Sequence, residues 1–300
     1  MANSIELAKK YLPLLDEVYQ ASSLTSVLDV NPDAVQYAGA NAVKIFKTTV
    51  QGLGNYSRSD GFVDGDATGA WETLELTKDR GRSFSIDRMD NDETLDMAFG
   101  ALSGEFIRTK VTPEIDAYRF SKYASASGIG SAEGTLSAAN DTVKAIDAAG
   151  AAMDENEVPA DDRFLFISPT HYTSVKQSDY VKRFATMTDT VLNRNFEVFD
   201  NMRVIKVPQT RFYSAVTLYD GKTSGQTAGG FVKAANAVDL NFMIVHRSAV
   251  LQIVKHTLPR IFDPDTNQQK DAWKFDYRIY HDAFTYENKT KGIYVHKKGA

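Results

Sequence analysis

Leu258-Pro259-Arg260-Ile261-Phe262-Asp263-Pro264, then Tyr277-Arg278-Ile279-Tyr280-His281-Asp282-Ala283-Phe284, and finally Asn288-Lys289-Thr290-Lys291-Gly292-Ile293-Tyr294-Val295 make up the tail that decides how this chain is read. The tail is rich in β-branched and aromatic residues and reads as a strand-rich closing segment. It holds no paired nucleophile and base, and no metal-ligand spacing. Upstream, Ile205-Lys206-Val207-Pro208 and the run Asn241 to His256 (NFMIVHRSAVLQIVKH) have the same strand-like character.

Composition narrows the function classes. Three hundred residues suffice for one large domain or two modest ones. Hydrophobic residues at 43% and charged residues at 24% are those of an ordinary globular protein. With no cysteine in the chain, disulfides and thiolate metal sites are excluded, and a reducing compartment is expected. Met1 to Lys10 contains Glu6 and lacks the apolar core of a signal peptide. No apolar run approaches a membrane span, so a soluble protein of the cytoplasm is expected, without a membrane partner. The net charge of -5 argues against a strong grip on nucleic acid, which needs a basic face.

The pattern along the chain predicts a mixed organisation. Leu7, Tyr11, Leu14 and Val18 recur at helical spacing over Ser4 to Gln20, with Pro13 bending the pattern. Asn31-Pro32-Asp33 then marks a turn. Val43 to Val50 predicts a strand, and Gly52, Gly54, Gly61, Gly65 and Gly69 a long loop-rich tip. Trp71 to Thr77 reads as the returning strand, and Arg82 to Asp87 as a third. An isolated hairpin of this kind is marginal in water and is expected to lie on something else. Asp92 to Tyr123 predicts the longest helix, roughly 45–50 Å, with Leu95, Phe99, Leu102, Phe106 and Ile115 on or near one stripe. Pro113 predicts a kink or two helices end to end. Ser127 to Ser137 reads as a Gly/Ser linker and domain boundary. Beyond it, helices at Ala138 to Met153 and from Pro169 alternate with strands at Arg163 to Ser168 and Met202 to Val207, which predicts a mixed α/β domain.

Candidate chemistry fails position by position. Gly221-Lys222-Thr223 ends like a phosphate-binding loop, but Val216 stands where the first glycine belongs. Asp263, Asp265 and Asn267 begin like a calcium loop, but Gln268 and Lys274 occupy its glycine and glutamate positions. Gly128-Ile129-Gly130 lacks the third glycine of a dinucleotide fingerprint, since Glu133 stands there. The five histidines share no metal-binding spacing. His281-Asp282 has a base and an orienter in sequence, but no activated serine accompanies it. No catalytic residue, metal or cofactor is expected.

The quoted tail, together with the two upstream segments, resembles the major capsid proteins of tailed bacteriophages or prophages, the group with the HK97-type shell fold. The resemblance implies an α+β fold divided into an N-terminal arm (1–42), an extended β-arm (43–88), a peripheral domain with a spine helix at 92–123 (89–135 plus about 258–290) and an axial domain (136–257 plus about 291–300). It implies self-assembly into pentamers and hexamers that close into an icosahedral head around double-stranded DNA, which is held without strong specific binding. Such rings need complementary surfaces, not a catalytic residue. Phe62 and Trp71 are then the candidate anchors of the β-arm. Asp60, Asp64 and Asp66 at the tip, with Arg80, Arg82 and Arg88 beyond the return strand, are the candidates for charge pairing between subunits.

Some members of that family carry a fused scaffolding segment. Here the arm starts within a few residues of Met1, so a separate scaffolding protein, and a portal during assembly, are the expected partners. Some members also form Lys-Asn cross-links; Lys47 and Lys78 lie in the β-arm, and no cross-link is expected. Two rivals remain. One is an encapsulin-like compartment, which packages a cargo enzyme. The other is a soluble α/β enzyme with an unrecognised site, expected to be a small oligomer with histidines and carboxylates around a pocket.

Overall fold

The computed structural model describes residues 23–29, 42–59, 61–89, 103–179, 197–268 and 270–299. The expected N-terminal helix, the Asn31-Pro32-Asp33 turn and the first part of the long helix lie outside them. Strands β1 (Ala42–Val50) and β2 (Ala67–Glu75) pair antiparallel from Ala42 opposite Glu75 to Val50 opposite Ala67. At about 3.3 Å per residue this ribbon is about 30 Å long. Its base is packed: Val43 and Leu76, with Ile45 and Leu74, lie on Leu251 and Ile253.

The segment expected to add a third strand to the arm does something else. β3 (Lys78–Asp87) pairs with the tail, not with β2. Its apolar residues Phe84 and Ile86 need a buried face, and the tail supplies one. The chain then runs through a helical stretch at 103–106, a wider π turn (Ile107–Val111) and helix α1 (Thr112–Ala124). Pro113 explains the π turn. Proline has no N–H to give and its ring crowds the carbonyl four residues back. The chain answers by widening the turn before it: the Thr112 N–H donates to the Ile107 carbonyl, and the Thr112 hydroxyl adds a second bond at 3.1 Å. Pro113 then falls in the first turn of α1, where no N–H is required. No break separates these stretches, so of the two outcomes expected from Pro113 they are not two separate helices end to end. The helix absorbs the proline through a bulge.

β4 (Gly130–Gly134) lies inside the expected linker. It pairs parallel with β13 (Ile293–Lys298) at the edge of a six-stranded sheet. The reason is local: the ring of Tyr294 lies across Gly130, where a Cβ would come within 2.5 Å of Cδ2. Glycine serves here to let the ring close on the strand, not to make the chain flexible. Helices α2 (Ala139–Asp154) and α3 (Pro169–Gln177) alternate with β5 (Arg163–Ile167), β6 (Val198–Phe199) and β7 (Met202–Lys206). The small ribbon β8 (Val216–Leu218) and β9 (Phe231–Lys233) follows, and then the central strand β10 (Leu240–His246). The sheet order is β4-β13-β10-β5-β7-β6.

β10 is buried along its whole length, and its side chains alternate between two cores. Phe242 and Ile244 meet Val143, Ile146 and Met153 of α2 and Tyr172 and Val175 of α3. Leu240, Met243 and Val245 meet Phe120 and Tyr123 of α1. A 3₁₀ turn at Arg247–Ala249 then carries the chain out of this sheet into a second one, of order β11-β12-β3, built from β11 (Val250–Phe262), β12 (Ala272–Thr285) and β3. The strand-like run Asn241 to His256 is therefore divided between one strand of each sheet. α1 covers both: Ile115, with Ile107 and Val111 of the π turn, lies on Phe275, Tyr277 and Ile279, while the C-terminal half of the helix lies on the six-stranded sheet. Replacing Gly130 with valine should drive Tyr294 off the strand and cost about 1–3 kcal/mol. A thermal melt with no change from the parent chain would contradict the role given to this glycine.

Candidate assembly surfaces

The outer half of the β-arm leaves large apolar groups in solvent. On its outward face Phe46 sits opposite Trp71, with ring centroids 5.1 Å apart, and the two are 53% and 60% exposed. The Phe46 ring also lies over Gly69, where a Cβ would come within 2.3 Å of it. At the tip the Tyr56 and Phe62 rings meet at a tilt with centroids 4.9 Å apart, and Phe62 is 87% exposed. Leu53 and Val63 are exposed beside them. Asp64 and Asp66 are exposed on the same tip, and Asp60 lies outside the described residues. The opposite face of the arm is tied down by a cation: Lys47 Nζ reaches Glu72 at 2.7 Å and Glu287 at 2.5 Å. This second contact fixes the arm to the short turn before β13. Lys78, the other lysine considered for cross-linking, stands over the Tyr118 ring at 5.5 Å.

The three candidate arginines divide. Arg80 donates through Nε to Glu114 at 2.7 Å and through Nη1 to the Tyr219 carbonyl at 2.7 Å, so it joins β3, α1 and the loop after β8. Arg82 reaches the Thr227 carbonyl at 3.2 Å. Arg88 lies 3.5 Å from Asp265 and 3.8 Å from Asp271. Between Arg80, Arg82, the π turn, β12 and the β8–β9 loop is an open cavity of about 590 Å³. Phe84, Phe106, Tyr277 and Ile279 give it apolar walls, and Arg80, Arg82 and Lys110 give it basic ones.

His281 and Asp282 do not form a catalytic pair. Asp282 is buried and fully engaged: it accepts from Tyr118 Oη at 2.6 Å, Thr77 N at 2.8 Å, Thr77 Oγ1 at 2.9 Å and its neighbour Ala283 N at 2.8 Å. One carboxylate thus joins α1, β12 and the chain leaving the arm. It also raises the Tyr118 phenol, after the larger effect of burial. His281 borders the cavity, and its Nδ1 has no hydrogen-bond partner among the described residues. Burial, with Arg119 adding to it, pushes the imidazole down to about 3. Such a ring stays neutral at working pH and has no carboxylate to orient it. Burial likewise lowers His171, His246 and His296.

The other sequence candidates are loops held by their own side chains. Asp220 accepts from the Lys222 and Thr223 amides at 2.8 and 2.9 Å, which makes the Gly221 region a turn. Asp263 accepts from Thr266 N at 2.8 Å. Among the described residues no group of three His, Cys, Asp or Glu side chains gathers as a metal cluster. Two features escaped sequence reasoning: the Asp282 junction, and a buried carboxylate on α1, Asp116. Neither has a spacing signature, because their partners, Ala283 apart, lie 91 to 205 residues away.

No family model matches the chain, and no curated protein sequence does. Solved structures match it by shape. The capsid structure of the cyanophage P-SCSP1u is 12% identical, with 88% of this chain and 85% of that one covered at a TM-score of 0.60. A chain of Gordonia phage Cozz is 13% identical, with 93% and 87% covered at 0.59. The virus-like particle from Pyrococcus furiosus is 12% identical, with 97% and 99% covered at 0.56. The chain therefore shares the fold of these capsid and particle structures, mixed α+β with a projecting hairpin. More narrowly, it is the HK97-like fold that the tail residues led us to expect.

Removing the Tyr118 hydroxyl (Tyr118→Phe) should cost about 1.5–3 kcal/mol, the value of a buried bond to a charged acceptor, read as a lower urea midpoint. Since the folded His281 sits below its unfolded value of about 6.5, its contribution is present above that pH and lost as pH falls toward 3. The melting temperature should therefore drop between pH 6.5 and 4, and His281→Phe should flatten part of that slope. A slope unchanged by the substitution would contradict the assignment.

Proposed function

We propose that this chain is the major shell protein of a tailed-phage or prophage head, assembling with copies of itself into pentamers and hexamers around double-stranded DNA. The observation that carries the reading is the β-arm: an HK97-like body holds out a hairpin whose base is packed and clamped while its aromatic outer face stays in solvent. Phe62, exposed at 87%, and Trp71 are the anchors in this reading. Soluble monomers rarely keep such groups exposed together unless another surface covers them. The acidic tip (Asp60, Asp64, Asp66) faces basic groups of a neighbouring copy, with Arg82 and Arg88 better placed for this than the internally engaged Arg80.

The protein acts by covering surface, not by catalysis. Its partners are further copies of itself, a separate scaffolding protein and a portal; it lines a space for DNA without gripping it, in keeping with a net charge of -5. It is assembled in the bacterial cytoplasm and ends in the virion. In this reading the chain divides into N-terminal arm, β-arm, peripheral and axial domains, with two boundaries drawn where the strands change sheet. The arm ends at Glu75, because β3 belongs to the sheet of β11 and β12, and the axial domain begins at Gly130, because β4 belongs to the six-stranded sheet. A compartment shell with other contents is the second reading. It is supported by the end-to-end match to the Pyrococcus furiosus particle.

The double substitution Phe62→Ala and Trp71→Ala tests the arm directly. It should leave unfolding within about 0.5 kcal/mol of the parent, as for exposed sites, while abolishing or sharply reducing fast-sedimenting particles. Shells formed as readily by the double variant as by the parent would refute the role of these anchors.

A further inference from the structure

Asp116 is 0% exposed and sits inside helix α1, a position where aspartate neither favours the helix nor tolerates burial without partners. Its partners come from the far end of the chain. Oδ1 accepts from Ser23 Oγ at 2.9 Å, Thr25 Oγ1 at 2.8 Å and Thr25 N at 3.3 Å; Oδ2 accepts from Leu24 N at 3.0 Å. Two successive amides and two hydroxyls thus close on one carboxylate, the arrangement by which a backbone concavity binds an anion. Arg211 adds a contact to Oδ2 at 3.3 Å.

The rest of the segment is held as closely. The Thr25 hydroxyl accepts from Arg119 Nη1 at 2.8 Å, and the same nitrogen lies 3.5 Å from Asp29. Arg247 donates to the Asp29 carbonyl at 2.7 Å. A 3₁₀ turn at Ser26–Leu28 drives Leu28 fully into the core beside Tyr118 and Phe120. Without this segment Asp116 would keep Arg211 alone, and Arg119 would be buried with neither Thr25 nor Asp29. Partial release therefore leaves uncompensated charge, so the segment is either seated or free.

We propose that Asp116 is a receptor for the chain's own N-terminal segment, and that it makes Ser23–Asp29 the fixed root of the N-terminal arm. Asp116 is a positioning residue: it holds the arm at a set point on α1. On the shell reading given above, this fixes where the arm can reach a neighbouring copy, and loss of the contact should give particles of mixed size or none.

The experiment is amide hydrogen exchange on the full, unassembled chain, followed by electron microscopy of whatever it assembles into. Asp116→Asn keeps the volume and removes the charge, while Ser23→Ala with Thr25→Val alters the segment and leaves α1 intact. Both should speed exchange at Leu24 and Thr25 at least tenfold with the middle of the six-stranded sheet unchanged, and Thr25→Ser should restore the protection lost in Thr25→Val. Unchanged exchange at Leu24 and Thr25 would overturn the proposal. So would an equal rise across α1 and β10, which would make Asp116 a general core residue. Faster local exchange with shells of parental size would overturn its role in positioning the arm. If the parent chain itself formed no shell, the shell reading would fail while the exchange result still decided whether Asp116 is the receptor.

Discussion

The structure depends on one helix lying across two sheets. The π turn and the first turns of α1 bury Ile107, Val111 and Ile115 on the β11-β12-β3 sheet, and its later turns bury Phe120 and Tyr123 on the six-stranded sheet. At the joint, Asp282 accepts from Tyr118 on the helix and twice from Thr77, the residue by which the arm returns to the body. A buried carboxylate is tolerated only when its lone pairs are filled, so helix, tail and arm have to be in place together. The turn from β10 into β11 crosses the same joint. The two sheets are thereby held as one body, and what projects from it has a defined direction.

Against that rigid body, the arm is built to be incomplete. Its base has a small core and a lysine between two carboxylates; its outer half has cross-strand aromatic pairs and no cover. A two-stranded ribbon of this kind gains little by itself. The same logic, inverted, applies at the other end of the chain, where Ser23–Asp29 is seated on its own helix by a carboxylate. The long strand β11 shows the complementary restraint: a bulge between Val254 and His256, and Pro259 beyond it, interrupt the regular ladder of a strand at the sheet edge and discourage indiscriminate pairing.

Much of this was legible in the sequence because it follows local period or local chemistry. The β1 and β5 strands and the α2 and α3 helices read correctly from short windows. The tail residues carried the fold itself. What escaped had distant causes. Ser127 to Ser137 has the composition of a linker, and only the open edge of β13 and the Tyr294 ring make part of it a strand. β3 was assigned to the arm because it follows the arm, yet its apolar face is satisfied by β12. Pro113 was read as a kink or a break, and the helix runs through it on one widened π turn. Asp116 and Asp282 look like surface acids in sequence; their burial follows from partners on other elements, which no window could contain.

The most direct test of the account is electron microscopy, with light scattering, of the full chain expressed alone and then with a co-expressed scaffolding candidate from its genome. The account predicts closed shells, tubes or rings of five or six subunits in at least one of the two conditions. A compact dimer or tetramer that stays small in both would contradict it.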